Sequence, residues 1–165
     1  MPRFQKNHYL CDMKKSFIIA FLLMVSGCLP SCHSVWENPN RLTAIVDFTI
    51  YPNSIREYEL NSPGGFKYYS SDPESNSRGI IVYRVSMEDF RVWDRLPPNK
   101  PNTCCTEEGE CTRLVVENDF EVVDNCNNII YSILDGTILE GGEGYRLYPY
   151  NFTYDGSALR ITTFY

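Results

Sequence analysis

The sequence predicts an all-β domain. β-branched and aromatic residues fall in short runs separated by Gly, Pro, Asn and Asp clusters, and 12 tyrosines and nine phenylalanines suit half-buried pleated surfaces. No window sustains the 3.6-residue apolar period of a helix for three turns. Near the C-terminal end Asp155-Gly156 separates "YNFTY" from "SALRITTF", and Asp-Gly between such runs is the strongest short-range hairpin signal.

The strands follow in order. Residues 43–51, "TAIVDFTIY", are β-rich and partly alternating. Residues 65–70, "GFKYYS", form a short strand after the Pro63-Gly64-Gly65 turn. Residues 79–85, "GIIVYRV", are almost wholly apolar or β-branched and mark the centre of a sheet. In residues 89–95, "DFRVWDR", Phe90, Val92 and Asp94 fall on one side, Arg91 and Trp93 on the other. Ser86-Met87-Glu88 is a hairpin-length link between these two runs. Residues 112–125 read as a second hairpin about Asn118-Asp119. Residues 128–139, "NIIYSILDGTIL", carry Asp135-Gly136 as a turn, and residues 145–165 supply the last hairpin.

The N-terminal segment has another character. Met13-Lys14-Lys15 is a basic start, "FIIAFLLMV" (residues 17–25) is an unbroken apolar run, and small residues and a cysteine follow. This is the order of a secretory signal peptide, expected over residues 1–27. The run is too short for a spanning helix, which needs about 20 apolar residues. The twelve residues before Met13 are unlike a signal, which points to Met13 as the translational start. Val25–Cys28, "VSGC", resembles the lipobox of bacterial lipoproteins, in which the cysteine becomes the first residue and carries lipid. "LPSC", ending at Cys32, is the alternative and fits less well because of its proline. Residues 28–42 then read as a lipidated tether containing His33.

Cleavage before Cys28 leaves 138 residues with 11 basic and 20 acidic side chains, net −9. That length suits one domain with its own core. The charge repels phosphate backbones, so nucleic acid is not an expected partner. His33 is the one histidine beyond the signal, so a Ser-His-Asp relay would have to take its base from the tether. Paired carboxylates are present among Glu107, Glu108, Glu110, Asp135, Glu140 and Glu143, all in turns or loops, where solvated charge is the expected role. "GGEG" (residues 141–144) lacks the Lys and helix of a phosphate loop and reads as a tight turn. "NFT" (residues 151–153) matches a glycosylation acceptor but reads as strand. The tyrosines of "KYYSSD" and "YRLYPY" are half-buried strand residues or an aromatic surface for sugars or protein.

Three cysteines crowd "TCCTEEGEC", and Cys126 lies beyond. An exported chain favours disulfides. With a two-residue loop at Asn118-Asp119, Cys111 and Cys126 are directly opposed at the open end of the hairpin, and the expected bond is Cys111–Cys126. Cys104 and Cys105 are then left to bond to each other, stay reduced or pair elsewhere. Zinc sites commonly use paired Cys-x(2–4)-Cys spacing, absent here.

"NSPGGFKYY", "RGIIVYRVSMEDFRVWDR", "VVDNC", "YSILDGTILEG" and "YRLYPYNFTYDGSALRI" resemble, in that order, a family of small Rieske-like lipoproteins of Bacteroides-type bacteria, over residues 43–163. The resemblance implies stacked antiparallel sheets in a Rieske-like sandwich (residues 43–165) with a small inserted hairpin module at about residues 95–131, and a place in the cell envelope, at the periplasm or outer membrane. A true Rieske centre holds its [2Fe–2S] cluster with two Cys and two His. In Rieske-like relatives the first ligand box follows an "FRxxDR" strand, here "FRVWDR", which puts Pro97 and Asn99 at ligand positions. The second box, counted back from Tyr131, falls on Asp124 and Asn127. None of the four is Cys or His.

The resemblance therefore implies a degenerate member with no metal and no cofactor, in which a covalent tie replaces the one that a cluster would make between the module loops. The expected role is non-catalytic: a lipid-anchored structural or interaction protein whose partners are the membrane and an envelope protein or glycan. Two alternatives stand beside it. One is a thiol–disulfide redox protein using Cys104/Cys105. The other is an iron–sulfur electron carrier on Cys104, Cys105, Cys111 and Cys126, for which adjacent thiolates are poor chelators.

Overall fold

The structure, a computed structural model, describes residues 38, 40, 43–71 and 74–163, all within the compact unit Val35–Tyr165. The signal segment, Cys28, Cys32 and His33 lie outside the described residues.

The described residues form three antiparallel sheets, as the alternation and turn signals require. β1 (Asp47–Ile50), β10 (Leu159–Thr162) and β9 (Asn151–Tyr154) make one, in the order β1-β10-β9. β2 (Phe66–Tyr69), β3 (Ile80–Arg84) and β4 (Phe90–Asp94) make the second, in sequence order. β5 (Val115–Glu117), β6 (Glu121–Asp124), β7 (Ile129–Ser132) and β8 (Ile138–Glu140) make the third, also in sequence order. The third sheet thus runs past residue 131, the expected end of the inserted module, because β8 continues the hairpin begun by β7.

Residue parity in the middle sheet explains the stacking. Ile80, Val82, Phe90 and Val92 pack with Val46, Ile50, Leu159 and Ile161 of the first sheet and its approach. Ile81, Tyr83 and Trp93 pack with Val122, Ile129, Tyr131 and Ile133 of the third. Both faces of the middle sheet are covered, so β3 reads as a continuous apolar run. The alternation read for residues 89–95 is realised on β4. On its second face, Arg91 Nε donates to Leu134 O at 2.7 Å and Trp93 Nε1 to Ile133 O at 2.7 Å, so two side chains two residues apart grip consecutive carbonyls of the third sheet's turn.

Arg84 is fully buried and forms no ion pair among the described residues. Its guanidinium donates to Leu60 O and Asn53 Oδ1, each at 2.8 Å, to Ser86 O at 3.1 Å and to Met87 O at 2.5 Å, and lies over the Phe90 ring. Neutral acceptors satisfy the buried donors, and the arginine ties the β3–β4 loop to a 3-10 turn at Ile55–Leu60. That turn has no signature in the sequence.

Two expectations need correction here. Arg84 pairs with Phe90, so the β3–β4 loop holds residues 85–89, one more at each end than Ser86-Met87-Glu88. Its closure by Val85 N to Asp89 O at 2.9 Å sets that length. The segment read as a tether up to residue 42 is docked by residue 38: Asn38 is buried, and its Nδ2 donates to Pro98 O at 2.9 Å. Pro98 is itself buried, and this amide satisfies a carbonyl withdrawn from water.

Candidate functional site

The cysteine-rich segment is a closed excursion from the core. Leu114 N donates to Arg95 O at 2.9 Å and Arg95 Nε returns to Leu114 O at 2.8 Å, so residues 96–113 leave and rejoin at one point. At its tip a small hairpin turns through Thr106–Glu110, with Thr106 N to Glu110 O at 2.8 Å and Gly109 at φ +86°. Cys105 and Cys111 face each other across it and are bonded, with Cα atoms 4.0 Å apart. Cys104, in the turn just before Cys105, bonds Cys126 instead, with Cα atoms 5.8 Å apart.

The expected Cys111–Cys126 bond is thus replaced by Cys105–Cys111 and Cys104–Cys126. The cause is a one-residue register difference. Glu117 pairs with Glu121, so the hairpin loop has three residues, Asn118–Phe120, with Asn118 and Asp119 both at positive φ. Asp124 then bends the chain away: its Oδ1 accepts from Cys126 N at 3.0 Å and Asn127 N at 3.3 Å. Cys104 and Cys105 hold different partners, so the pair considered from the sequence does not form between them.

Three of the four positions singled out as degenerate ligand sites, Asn99, Asp124 and Asn127, meet at one junction of loops. Asn127 Nδ2 donates to Asp124 Oδ2 at 2.7 Å and to Asn99 O at 3.1 Å, joining the second loop to the first. Asn99 Nδ2 donates to Tyr131 Oη at 3.0 Å and Tyr145 O at 2.9 Å, and its Oδ1 accepts from Tyr145 N at 2.9 Å. Pro97 is buried and offers no side-chain donor or acceptor. Burial and the nearby Asp124 carboxylate push the Tyr131 hydroxyl up to about 12 despite the Asn99 bond, so it stays protonated at neutral pH. The "GGEG" segment closes the junction from outside. A Cβ on Gly144 (φ +152°) would sit 2.2 Å from Asn99 Oδ1, and one on Gly141 (φ +94°) 2.1 Å from Asn128 O.

These residues do not fit an iron–sulfur cluster. Thiolate and imidazole are absent from the four positions, the Asp124 carboxylate is occupied by its own loop, and the flanking Cys104 and Cys126 are oxidised to each other. Among the described residues no group of three or more His, Cys, Asp or Glu side chains is placed to hold a metal ion. No protein-family model, curated protein or solved structure matches the chain.

The other candidates separate spatially. Glu107, Glu108, Glu110, Asp135, Glu140 and Glu143 are all exposed. Asp135 accepts from Thr137 N and Oγ1, bonds that hold its carboxyl below the usual range and mark it as a turn cap. Asn151 opens β9. Tyr69, Tyr148 and Tyr150 spend their hydroxyls on Glu57, Asn40 O and Asp94. What the sequence did not reveal is the polar frame around the excursion. Asp94 is fully buried and accepts from Leu96 N at 2.6 Å, Tyr150 Oη at 2.6 Å, Arg78 N at 3.2 Å and the Ser77 hydroxyl. Burial outweighs these donors and pushes its carboxyl up. Arg78 braces the excursion from below, with Nη1 to Thr112 O at 2.7 Å and Nη2 to Asn102 Oδ1 at 3.2 Å.

Proposed function

We propose that this chain is an exported lipoprotein, anchored at the cell envelope through Cys28, with a degenerate Rieske-like fold and a non-catalytic structural or interaction role toward an envelope protein or glycan. The loop junction carries the reading. At the positions where the resemblance puts cluster ligands, the loops are joined by Asn99–Asn127–Asp124 and by Cys104–Cys126. Such a tie joins the loops without the thiolate and imidazole ligands that a cluster would need. The stacked sheets and the basic-apolar-cysteine order of residues 13–28 support the fold label and the anchor.

The test has two parts. The full chain, expressed in an exporting host, is expected to purify colourless, without stoichiometric iron or acid-labile sulfide and with no free thiol among its four domain cysteines. A brown, iron-containing preparation would overturn the cluster-free reading. Metabolic labelling with palmitate is expected to mark the wild type and Cys32→Ser but not Cys28→Ser. Label retained by Cys28→Ser would move the anchor to Cys32, and no label on any form would refute anchoring.

A further inference from the structure

All three sheets send loops to one end of the domain. β1 ends at Ile50 opposite Leu159, where β10 begins, so residues 51–65 and the turn at residues 155–158 share that end, and Asn53 Nδ2 donates to Tyr154 Oη at 3.1 Å. Arg84 holds Asn53 and Leu60 against Ser86 and Met87 of the β3–β4 loop. Arg91 pairs with Asp89 of that loop and donates to Leu134 O of the β7–β8 turn, and Ile133 N donates to Phe120 O of the β5–β6 loop at 3.0 Å. The cysteine excursion leaves from the opposite end, after Asp94 and its partner Ile80, and Asn38 docks there on Pro98.

Nine large apolar side chains are exposed among the described residues, and six of them crown these loops: Tyr51, Ile55, Tyr58, Met87, Phe120 and Leu134, from 47% to 91% exposed. Isolated exposed apolar residues are ordinary, whereas a gathered patch marks an interaction surface. Sheets stack about 10 Å apart, so three sheets spread the patch over about 20 Å, close to the ~28 Å side of an ~800 Å² protein footprint. Between the apolar groups the same loops, residues 51–65, 85–89, 118–120, 133–137 and 155–158, carry seven carboxylates against one cation, Arg56. Neighbouring cations offset part of this: Lys67 pairs with Glu57 and Glu59, Arg91 with Asp89, Arg146 lowers the Asp135 carboxyl, and Arg84 lies buried beneath. An acidic excess remains, with Glu88 and Asp119 exposed and in no ion pair among the described residues.

We infer that this end docks a protein whose contact face is apolar and ringed by Lys or Arg. The inference narrows the partner of the interaction role proposed above and rests on that reading only for there being a partner. The two fail separately, because lipidation and iron content are scored apart from binding. Exposed Tyr, Phe and Met are the side chains that anchor protein interfaces. Carboxylates set between them favour a basic rim and disfavour both a second copy of the same acidic face and an anionic membrane surface. An anchor upstream of Asn38 joins the domain at the excursion, at the end away from these loops.

The experiment titrates full-length oxidised protein with three synthetic peptides, by calorimetry and amide chemical shifts: an amphipathic Leu/Lys peptide, its Leu/Glu counterpart, and a Ser/Lys peptide of equal charge. The Leu/Lys peptide is expected to bind at least about 10-fold more tightly than either control and to shift the amides of residues 55–59, 87–89, 119–121 and 134–136. The excursion tip is the internal control, since it carries Glu107, Glu108 and Glu110 but no exposed large apolar side chain, and its amides should move less. Phe120→Ser with Leu134→Ser is expected to weaken binding about 10- to 100-fold, and Glu88→Lys to narrow the preference for the basic peptide. Ile45→Ser, exposed before β1 at the opposite end, should leave binding unchanged. Equal binding of the Ser/Lys or Leu/Glu peptide, equal shifts at the excursion tip, full affinity in the Phe120/Leu134 variant, or no binding would overturn the assignment. So would submicellar dihexanoylphosphatidylcholine binding these loops as tightly as the Leu/Lys peptide, which would make the end a lipid-binding surface. A dimer dispersed by the Phe120/Leu134 substitutions in sedimentation would make the occupant a second copy and overturn it too.

Discussion

Replacing Cys104 and Cys126 together by alanine removes the covalent tie across the loop junction and leaves the Cys105–Cys111 hairpin intact. The outer bond spans 22 residues and the inner one six. In the chain-entropy relation these separations give about 3.4 kcal/mol for the outer bond and ~2.2 kcal/mol for the inner one. The outer bond also holds Asn127 against Asn99, so its loss weakens a neutral hydrogen bond worth about 1 kcal/mol. Urea unfolding of oxidised protein, followed by tryptophan fluorescence, is expected to show the Cys104/Cys126 double variant less stable than wild type by about 3–4 kcal/mol, with an m-value no smaller than that of wild type because the unfolded chain is less constrained. The Cys105/Cys111 double variant should lose at least ~1 kcal/mol less. For a domain of this size the larger loss lowers the melting temperature by about 10 °C. Equal losses, the reverse order, or an outer-bond loss below ~1 kcal/mol would refute the view that this bond fixes the two loops.

Further outcomes follow from the polar frame and the glycine lid. Asp94→Ala strands two buried N–H groups and two hydroxyls and is expected to cost at least ~3 kcal/mol, whereas Asp94→Asn keeps an acceptor for both N–H groups and should cost about 1 kcal/mol. Because the folded protein holds the Asp94 proton more tightly than the unfolded chain does, wild type should lose stability relative to Asp94→Asn as pH rises from the ordinary carboxyl value of 3.8, levelling off once Asp94 has ionised. Paired urea titrations across acidic pH read this difference, and the opposite slope would mean that the four donors outweigh burial. Gly144→Ala places a Cβ on Asn99, while Gly142→Ala, also at positive φ, meets no atom within 4 Å. The Gly144 variant should be the less stable by at least ~1 kcal/mol, measured by urea midpoint. Trp93→Phe deletes a buried bond to Ile133 O and should cost ~2–3 kcal/mol by the same assay.

The strands were legible because local signals agreed with the fold. β3 is apolar throughout because two cores flank it, and β4 alternates because Phe90 and Val92 enter one core and Trp93 the other. The hairpin at residues 155–158 was legible in Asp155-Gly156, where Asp155 Oδ1 accepts from Ser157 N and Ala158 N. The disulfide pairing was not legible, since one extra loop residue at Phe120 shifts the register and Asp124 ends the ladder before Cys126. The positions Asn99, Asp124 and Asn127 could be marked by the resemblance, but their bonding to one another depends on loop paths that no periodicity encodes. Arg84 and Arg78 were hidden for a related reason: each donates to carbonyl and amide oxygens, several of them 24 or more residues away, and such partners leave no charge pattern.

The nested cross-links have a consequence for proteolysis of the excursion. Glu107 and Glu108 stand on the exposed tip between Cys105 and Cys111, an accessible place for a glutamate-specific enzyme to cut. A single scission there leaves both halves clasped by sulfur on either flank. The nicked molecule would migrate as one species until reductant is added, heavier than the uncut chain by one water.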